Sequence, residues 1–110
     1  VEAAIIAKKG DRGEIPGCVI DGPLALDVAI DMESVKIKKI KSPVAGDADC
    51  IVFPNIESGN VFYKCNSKLS TGVEMAAMVV GAKVPCVLSS RADSIETKLN
   101  SIALAALSAK

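Results

Sequence analysis

Apolar positions recur with a helical period in three parts of the chain and run together in short bursts elsewhere. The first helical part is Val1 to Lys9, whose alanines and isoleucines suit a short helix with a basic end that Gly10 stops. The third is the clearest: over Asp93 to Ala109, Ile95, Leu99, Ile102, Ala103, Ala106 and Leu107 form one stripe. Asp93, three residues before Glu96, makes a capping box at its start. Between these, Val61, Phe62, Cys65 and Leu69 recur at helical spacing after a turn at Ser58, Gly59 and Asn60. Cys50 to Phe53 is a short β-branched run that predicts a buried strand ended by Pro54. Gly17 to Gly22, Ala76 to Val80 and Val84 to Leu88 read as further short strands.

The stretches between these elements are short and small-sided. Asp21-Gly22-Pro23 reads as a turn, with Pro23 in the first turn of a helix carrying Leu24, Leu26, Val28 and Ile30, and Asp21 as its N-cap. Asp27 falls towards its exposed side, and a second helical piece opens near Asp31 and runs to Ile40. Val44-Ala45-Gly46 permits close backbone packing. Strand, small-residue turn, helix is how an open α/β sheet presents groups to a ligand, so Gly59 and Asn60 either face a ligand or only make the turn. Arg91 sits in a corner between a strand end and a helix start. There it either binds a phosphate or pairs with Asp93 or Glu96 at the surface.

Composition narrows this picture. The chain has 110 residues, half of them apolar, with two phenylalanines and one tyrosine, so its core is aliphatic and alanine-rich. Thirteen basic and 13 acidic residues cancel, which leaves no nucleic-acid footprint. The basic cluster Lys36, Lys38, Lys39 and Lys41 reads as a solvated face, with anion steering as the lesser alternative. Four cysteines lack C-x-x-C spacing and read as buried free thiols in a reduced, cytoplasmic chain. There is no histidine, which removes the usual zinc sites and histidine bases. Asp47 and Asp49 have no further ligands beside them, so no metal is expected. No signal peptide and no membrane-length apolar run is visible. The first residue already lies within helical pattern, as in a piece of a longer protein.

Four blocks carry a resemblance: Asp21-Gly22-Pro23-Leu24 with Asp27, Ser42 to Asp49, Pro54 to Lys64, and Ser89-Ser90-Arg91-Ala92-Asp93-Ser94. Together they resemble the C-terminal part of the phosphate acetyl/butyryl transferase family, and the run from Ser89 to Leu107 is most similar to its butyryltransferase branch. The resemblance implies a three-layer α/β/α fold of the isocitrate/isopropylmalate dehydrogenase type, present here as an incomplete fragment. Residues 1–88 would belong to the second, substrate-cleft domain and residues 89–110 would return to the first, whose remainder is absent. The family moves an acyl group reversibly between coenzyme A and inorganic phosphate, with no cofactor and coenzyme A as a substrate, commonly as a homo-oligomer. This fragment alone would be inactive.

The same resemblance implies site residues. Arg91 would bind the transferred phosphate, and Ser90 would orient the thiol or the carbonyl oxygen. The family's carboxylate one turn further on is matched by Thr97, a departure that leaves Glu96 as the expected catalytic base. The substrate-binding set is Asn60, Gly59, Asp93 and Arg91. Two rival readings remain: a non-catalytic regulatory or interaction domain of the same origin, and a metal-dependent hydroxyacid dehydrogenase. The second lacks a convincing carboxylate set, since Asp47, Asp49 and Asp93 do not make one.

Overall fold

Extended backbone becomes a strand only when a second extended segment lies alongside with matching donors and acceptors. The computed structural model describes Val1 to Ala109, and among these residues that condition is met at one point, the antiparallel bridge from Val79 N–H to the Cys86 carbonyl at 2.8 Å. The segments at 17–22 and 50–53 form no strand, and Gly17 lies in a turn at φ +87°. The three-layer α/β/α expectation is therefore corrected: the regular structure of the described residues is helical, with no strand or sheet. The β-branched runs specified extended backbone and nothing more. Cys50 to Phe53 is not a buried strand either, since Val52 is 85% exposed.

Among the described residues five helices form: α1 Glu2–Asp11, α2 Leu26–Ile30, α3 Met32–Lys38, α4 Ile56–Leu69 and α5 Ile95–Ser108. None of them is long and apolar enough to cross a membrane. The chain divides into two compact units, Val1–Ile56 and Glu57 onward.

In the first unit, α1 continues through Gly10 and stops beyond it. Gly13, at φ +72°, sends its N–H to the Gly10 carbonyl at 2.9 Å, while Glu14 N–H reaches the Lys9 carbonyl at 3.0 Å. These paired bonds close the last turn of the helix. Gly10 instead lets Ile20 approach, since a Cβ there would stand 3.1 Å from the Ile20 Cβ. Asp21 does not cap α2. Its Oδ1 accepts from the Gly22 amide at 2.7 Å, and the helix starts later, after Ala25 in extended conformation. Asp31 does cap α3, accepting from Glu33 N–H at 3.2 Å and Ser34 N–H at 2.9 Å, and from the Ser34 hydroxyl at 2.6 Å. These bonds, the Ser34 hydroxyl first, hold the Asp31 carboxyl below its ordinary pKa. Lys38 bonds Asp27 at the surface and lowers its pKa likewise, so one member of the basic cluster is engaged within the unit.

Small residues make the core of this unit: Ala7, Val28, Ala29 and Ala45. The carbonyls of Val28 and Ala29 lie at the end of α2, where helical partners run out. Gly46 N–H at 2.8 Å and Ala48 N–H at 3.1 Å satisfy them. The stretch around Val44-Ala45-Gly46 thus clamps onto α2, as its small side chains allow.

Helix α4 begins at Ile56 and continues into the second unit, so Ser58, Gly59 and Asn60 are helical and do not form the expected turn. A glycine in a helix costs about 1 kcal/mol relative to alanine, and asparagine less, which neighbouring turns readily offset. Ser94, not Asp93, caps α5: its Oγ accepts from Thr97 N–H at 3.1 Å. The apolar stripe of α5 lies largely open, with Ile95, Leu99, Ile102 and Leu107 all exposed. The packed row is Thr97, Ser101 and Ala105. Ser101, at 1% exposure, donates to the Thr97 carbonyl at 2.6 Å and accepts the Ala77 amide at 2.9 Å. That hydroxyl fastens the extended segment at 73–80 to α5. Ser101→Ala leaves the Ala77 amide without its acceptor and is expected to cost about 1–3 kcal/mol, read from urea unfolding midpoints. Ser101→Cys, with a weaker acceptor, should fall between the two.

The four cysteines are free, but Cys18, Cys50 and Cys65 are exposed and Cys86 is half-buried, so the expectation of buried thiols is corrected. Apolar neighbours in sequence did not translate into burial where those neighbours themselves lie at the surface.

Candidate functional site

The corner from Ser90 to Asp93 is held by its own backbone and by three side chains. Asp93 N–H returns to the Ser90 carbonyl at 3.1 Å, and the Ala92 amide reaches the Ser90 Oγ at 3.4 Å. Lys68 of α4 donates to the Ala92 carbonyl at 3.1 Å, and Lys98 of α5 to the Arg91 carbonyl at 3.4 Å. The third side chain is Asp93. Its Oδ2 accepts the Ser90 amide at 2.8 Å, and its Oδ1 lies 3.7 Å from the Lys64 ammonium. The Asp93 side chain is 4% exposed, so this carboxylate is turned inward.

Arg91 is exposed, and its guanidinium makes no ion pair with Asp93, Glu96 or any other acid among the described residues. Of the two readings left open by the sequence, the surface pair is not formed. The corner thus holds the backbone of Arg91 in place and leaves its planar fork free for an anion. The Ser90 Oγ accepts from the chain, which leaves its O–H available as a donor.

The other expected site residues lie further along the helices. Glu96 is exposed in the first turn of α5. Gly59 is half-buried and Asn60 exposed, both near the start of α4. No hydrogen bond or ion pair among the described residues joins Gly59 or Asn60 to Ser90, Arg91 or Asp93. The structure thus brings Ser90, Arg91 and Asp93 into one bonded corner and places Glu96, Gly59 and Asn60 outside that network. No group of three or more His, Cys, Asp or Glu side chains suited to a metal ion occurs among the described residues.

A small cleft of ≈ 90 Å³ opens beside the corner, between Ser67 and Lys68 of α4, Met75, and Asp93, Ser94 and Thr97. Pockets for drug-sized ligands run to several hundred Å³, so this cleft has room for a few atoms and not for a coenzyme. Thr97 accepts a hydrogen bond from the Ser94 hydroxyl at 3.1 Å.

Sequence reasoning missed two residues of this site, Tyr63 and Lys64. The Tyr63 hydroxyl is buried with no hydrogen-bond partner among the described residues. Burial first, then the negative Asp93 beside it, push the phenol above its ordinary pKa of 10.0. No bond of acceptable geometry joins the two, so Asp93 acts here as a nearby charge. Folding therefore favours the protonated phenol. That contribution is complete below about pH 10 and is lost as pH rises through the higher folded value. Lys64 Nζ stands 4.9 Å from the Tyr63 ring centroid, a cation–π contact. A lysine beside a tyrosine in an otherwise apolar helical run was the available signal, but its partner lies far along the chain.

Residues 1–106 match the family described as Phosphate acetyl/butaryl transferase. Phosphate butyryltransferase of Clostridium acetobutylicum is 52% identical over 97% of this chain and 35% of its own length. Phosphate acetyltransferase of Thermotoga maritima is 50% identical over 97% of this chain and 36% of its own. Among solved structures, the branched-chain phosphotransacylase from Enterococcus faecalis V583 superimposes with a TM-score of 0.75 at 37% identity, covering 94% of this chain and 38% of that one. The chain spans about a third of the length of these curated relatives.

Proposed function

The chain belongs to the phosphate acetyl/butyryl transferase family, and from that membership we propose that the protein carrying it moves a short acyl group reversibly between coenzyme A and inorganic phosphate. The observation that carries the reading is Arg91, exposed on a corner fixed from three sides, with no carboxylate of the described residues claiming its guanidinium.

In the direction of thioester synthesis, the thiol sulfur attacks the acyl phosphate carbonyl, and phosphate departs. Negative charge grows on the carbonyl oxygen and on the leaving phosphate. Arg91 stabilises the phosphate, and the Ser90 O–H donates to the carbonyl oxygen. A coenzyme A thiol is mostly protonated near neutral pH, and Glu96, an exposed carboxylate in the first turn of α5, removes its proton. Asn60 and Gly59 on α4 bind substrate. No enzyme nucleophile is needed, and Ser90 has no histidine to activate it. Much of the rate comes from holding two substrates together. The protein works as a homo-oligomer in the cytoplasm. The four free thiols support a reducing compartment.

Coenzyme A release from butyryl-CoA in phosphate buffer, followed with a thiol reagent, tests the activity. Absence of turnover in the folded protein overturns it in favour of a non-catalytic domain. Identity does not separate the branches, at 52% and 50%. The run from Ser89 to Leu107 supports the butyryl branch. Each added methylene in an apolar pocket is worth about 1–3 kcal/mol, so kcat/KM should favour butyryl-CoA over acetyl-CoA by about tenfold or more. A higher value for acetyl-CoA would reverse the acyl preference and leave the transfer reaction standing.

A further inference from the structure

Taking a carboxylate out of water requires donors and a compensating charge. Asp93 has both: the Ser90 amide at 2.8 Å on one oxygen and the Lys64 ammonium 3.7 Å from the other. The buried Tyr63 hydroxyl, with no hydrogen-bond partner among the described residues, stands in the field of the same carboxylate. Adjacent residues on a helix point about 100° apart and ordinarily do not converge on one group. Here the lysine ammonium lies over the tyrosine ring, at 4.9 Å from its centroid, while it also serves Asp93. Whatever fixes Asp93 fixes the backbone of residue 90, and with it the starting point of the Arg91 side chain.

We propose that Tyr63 and Lys64 are positioning residues that set the Ser90–Arg91 corner through the Asp93 carboxylate, an inference that rests on Arg91 being the phosphate-binding group. Lys64 neutralises the buried charge and holds it against the Ser90 amide. Tyr63 supplies the ring on which the ammonium rests and a hydroxyl dipole beside the carboxylate. Neither touches the reacting atoms. Lys68 and Lys98, which grip the carbonyls of Ala92 and Arg91, hold the other side of the corner. Helix α4 thereby governs the aim of an arginine that it does not carry.

The test uses Lys64→Met, Lys64→Arg, Tyr63→Phe and Asp93→Asn in the protein that carries this chain. A misplacement near 1 Å can cost about a hundredfold, so Lys64→Met should lower kcat/KM for phosphate by about tenfold to a hundredfold. Phosphate KM should rise more than coenzyme A KM. Lys64→Arg restores most of the activity, and Tyr63→Phe loses less than Lys64→Met. Two further readouts do not depend on turnover. Hydrogen exchange of the Ser90 amide quickens in Lys64→Met but not in Lys64→Arg. The Tyr63 titration, followed by the Cζ carbon-13 resonance that vanishes in Tyr63→Phe, moves down in Asp93→Asn. If Lys64→Met does not fold, Lys64→Gln takes its place. Parental kcat/KM for phosphate and unchanged Ser90 exchange in the folded variant would overturn the proposal. Failure of the Arg91 assignment looks different: Arg91→Gln then stays active while Ser90 exchange still responds to Lys64.

Discussion

Arg91→Gln is expected to lower kcat/KM for phosphate by about a hundredfold or more, because a charged donor disappears from where negative charge develops. The substitution keeps the length and polarity of the side chain and removes its charge and its fork. Thermal stability should hardly change, since the side chain is exposed and has no ion pair to lose among the described residues. Arg91→Lys keeps the charge without the bidentate geometry, and its activity should lie between the two. Steady-state kinetics with phosphate varied at saturating acyl-CoA measures all three proteins. Parental activity in a folded, equally assembled Arg91→Gln protein would remove this residue from the site and the proposed mechanism with it.

The largest effect on stability is expected at Gly46→Ala. Gly46 adopts φ +80°, which costs about 1–2 kcal/mol for a residue with a Cβ. The added carbon would meet Met32 Cε at 2.8 Å, and the Met32 Cα and N at 3.1 and 3.2 Å. The thioether end can swing away, but the backbone cannot do so without moving the start of α3. Overpacking of this kind typically adds about 1–3 kcal/mol, so a total loss of about 2–5 kcal/mol should appear in urea unfolding. Met32→Ala in the same protein removes only the softest of the three clashes, so rescue should be partial. Full rescue would show that the strain lay in the methionine side chain alone.

The sequence was a good guide to several elements built from near neighbours, although Asp21 does not cap α2 and α1 runs past Gly10. Asp31 caps α3 through residues two and three positions on, and α1 and α5 form close to where their spacing places them, although the apolar stripe of α5 lies open. The signal failed where the partner is remote. A β-branched run such as Cys50 to Phe53 cannot say which segment will pair with it, and here it forms no strand among the described residues. Asp93 illustrates the same limit at the site. Local spacing to Glu96 made it a helix cap, but Ser94 caps the helix, and the Asp93 carboxylate instead turns to Ser90 and Lys64. Ser58, Gly59 and Asn60 suggested a turn by composition, and the helix absorbed them. The corner position of Arg91 was legible, with phosphate binding and a surface pair both left open, whereas the lysine and tyrosine behind that corner were not.

The Ser101 hydroxyl spans 24 residues of chain to reach the Ala77 amide. Its consequence concerns the order of events in folding. Helix–coil relaxation takes about 0.1–1 μs, so α5 can take shape from local contacts alone. The extended segment has no such local route, for its attachment point exists only once α5 has presented Ser101. Closing that loop carries an entropic cost that is met late. Ser101→Ala should therefore leave the folding rate nearly unchanged and express its loss of stability as faster unfolding.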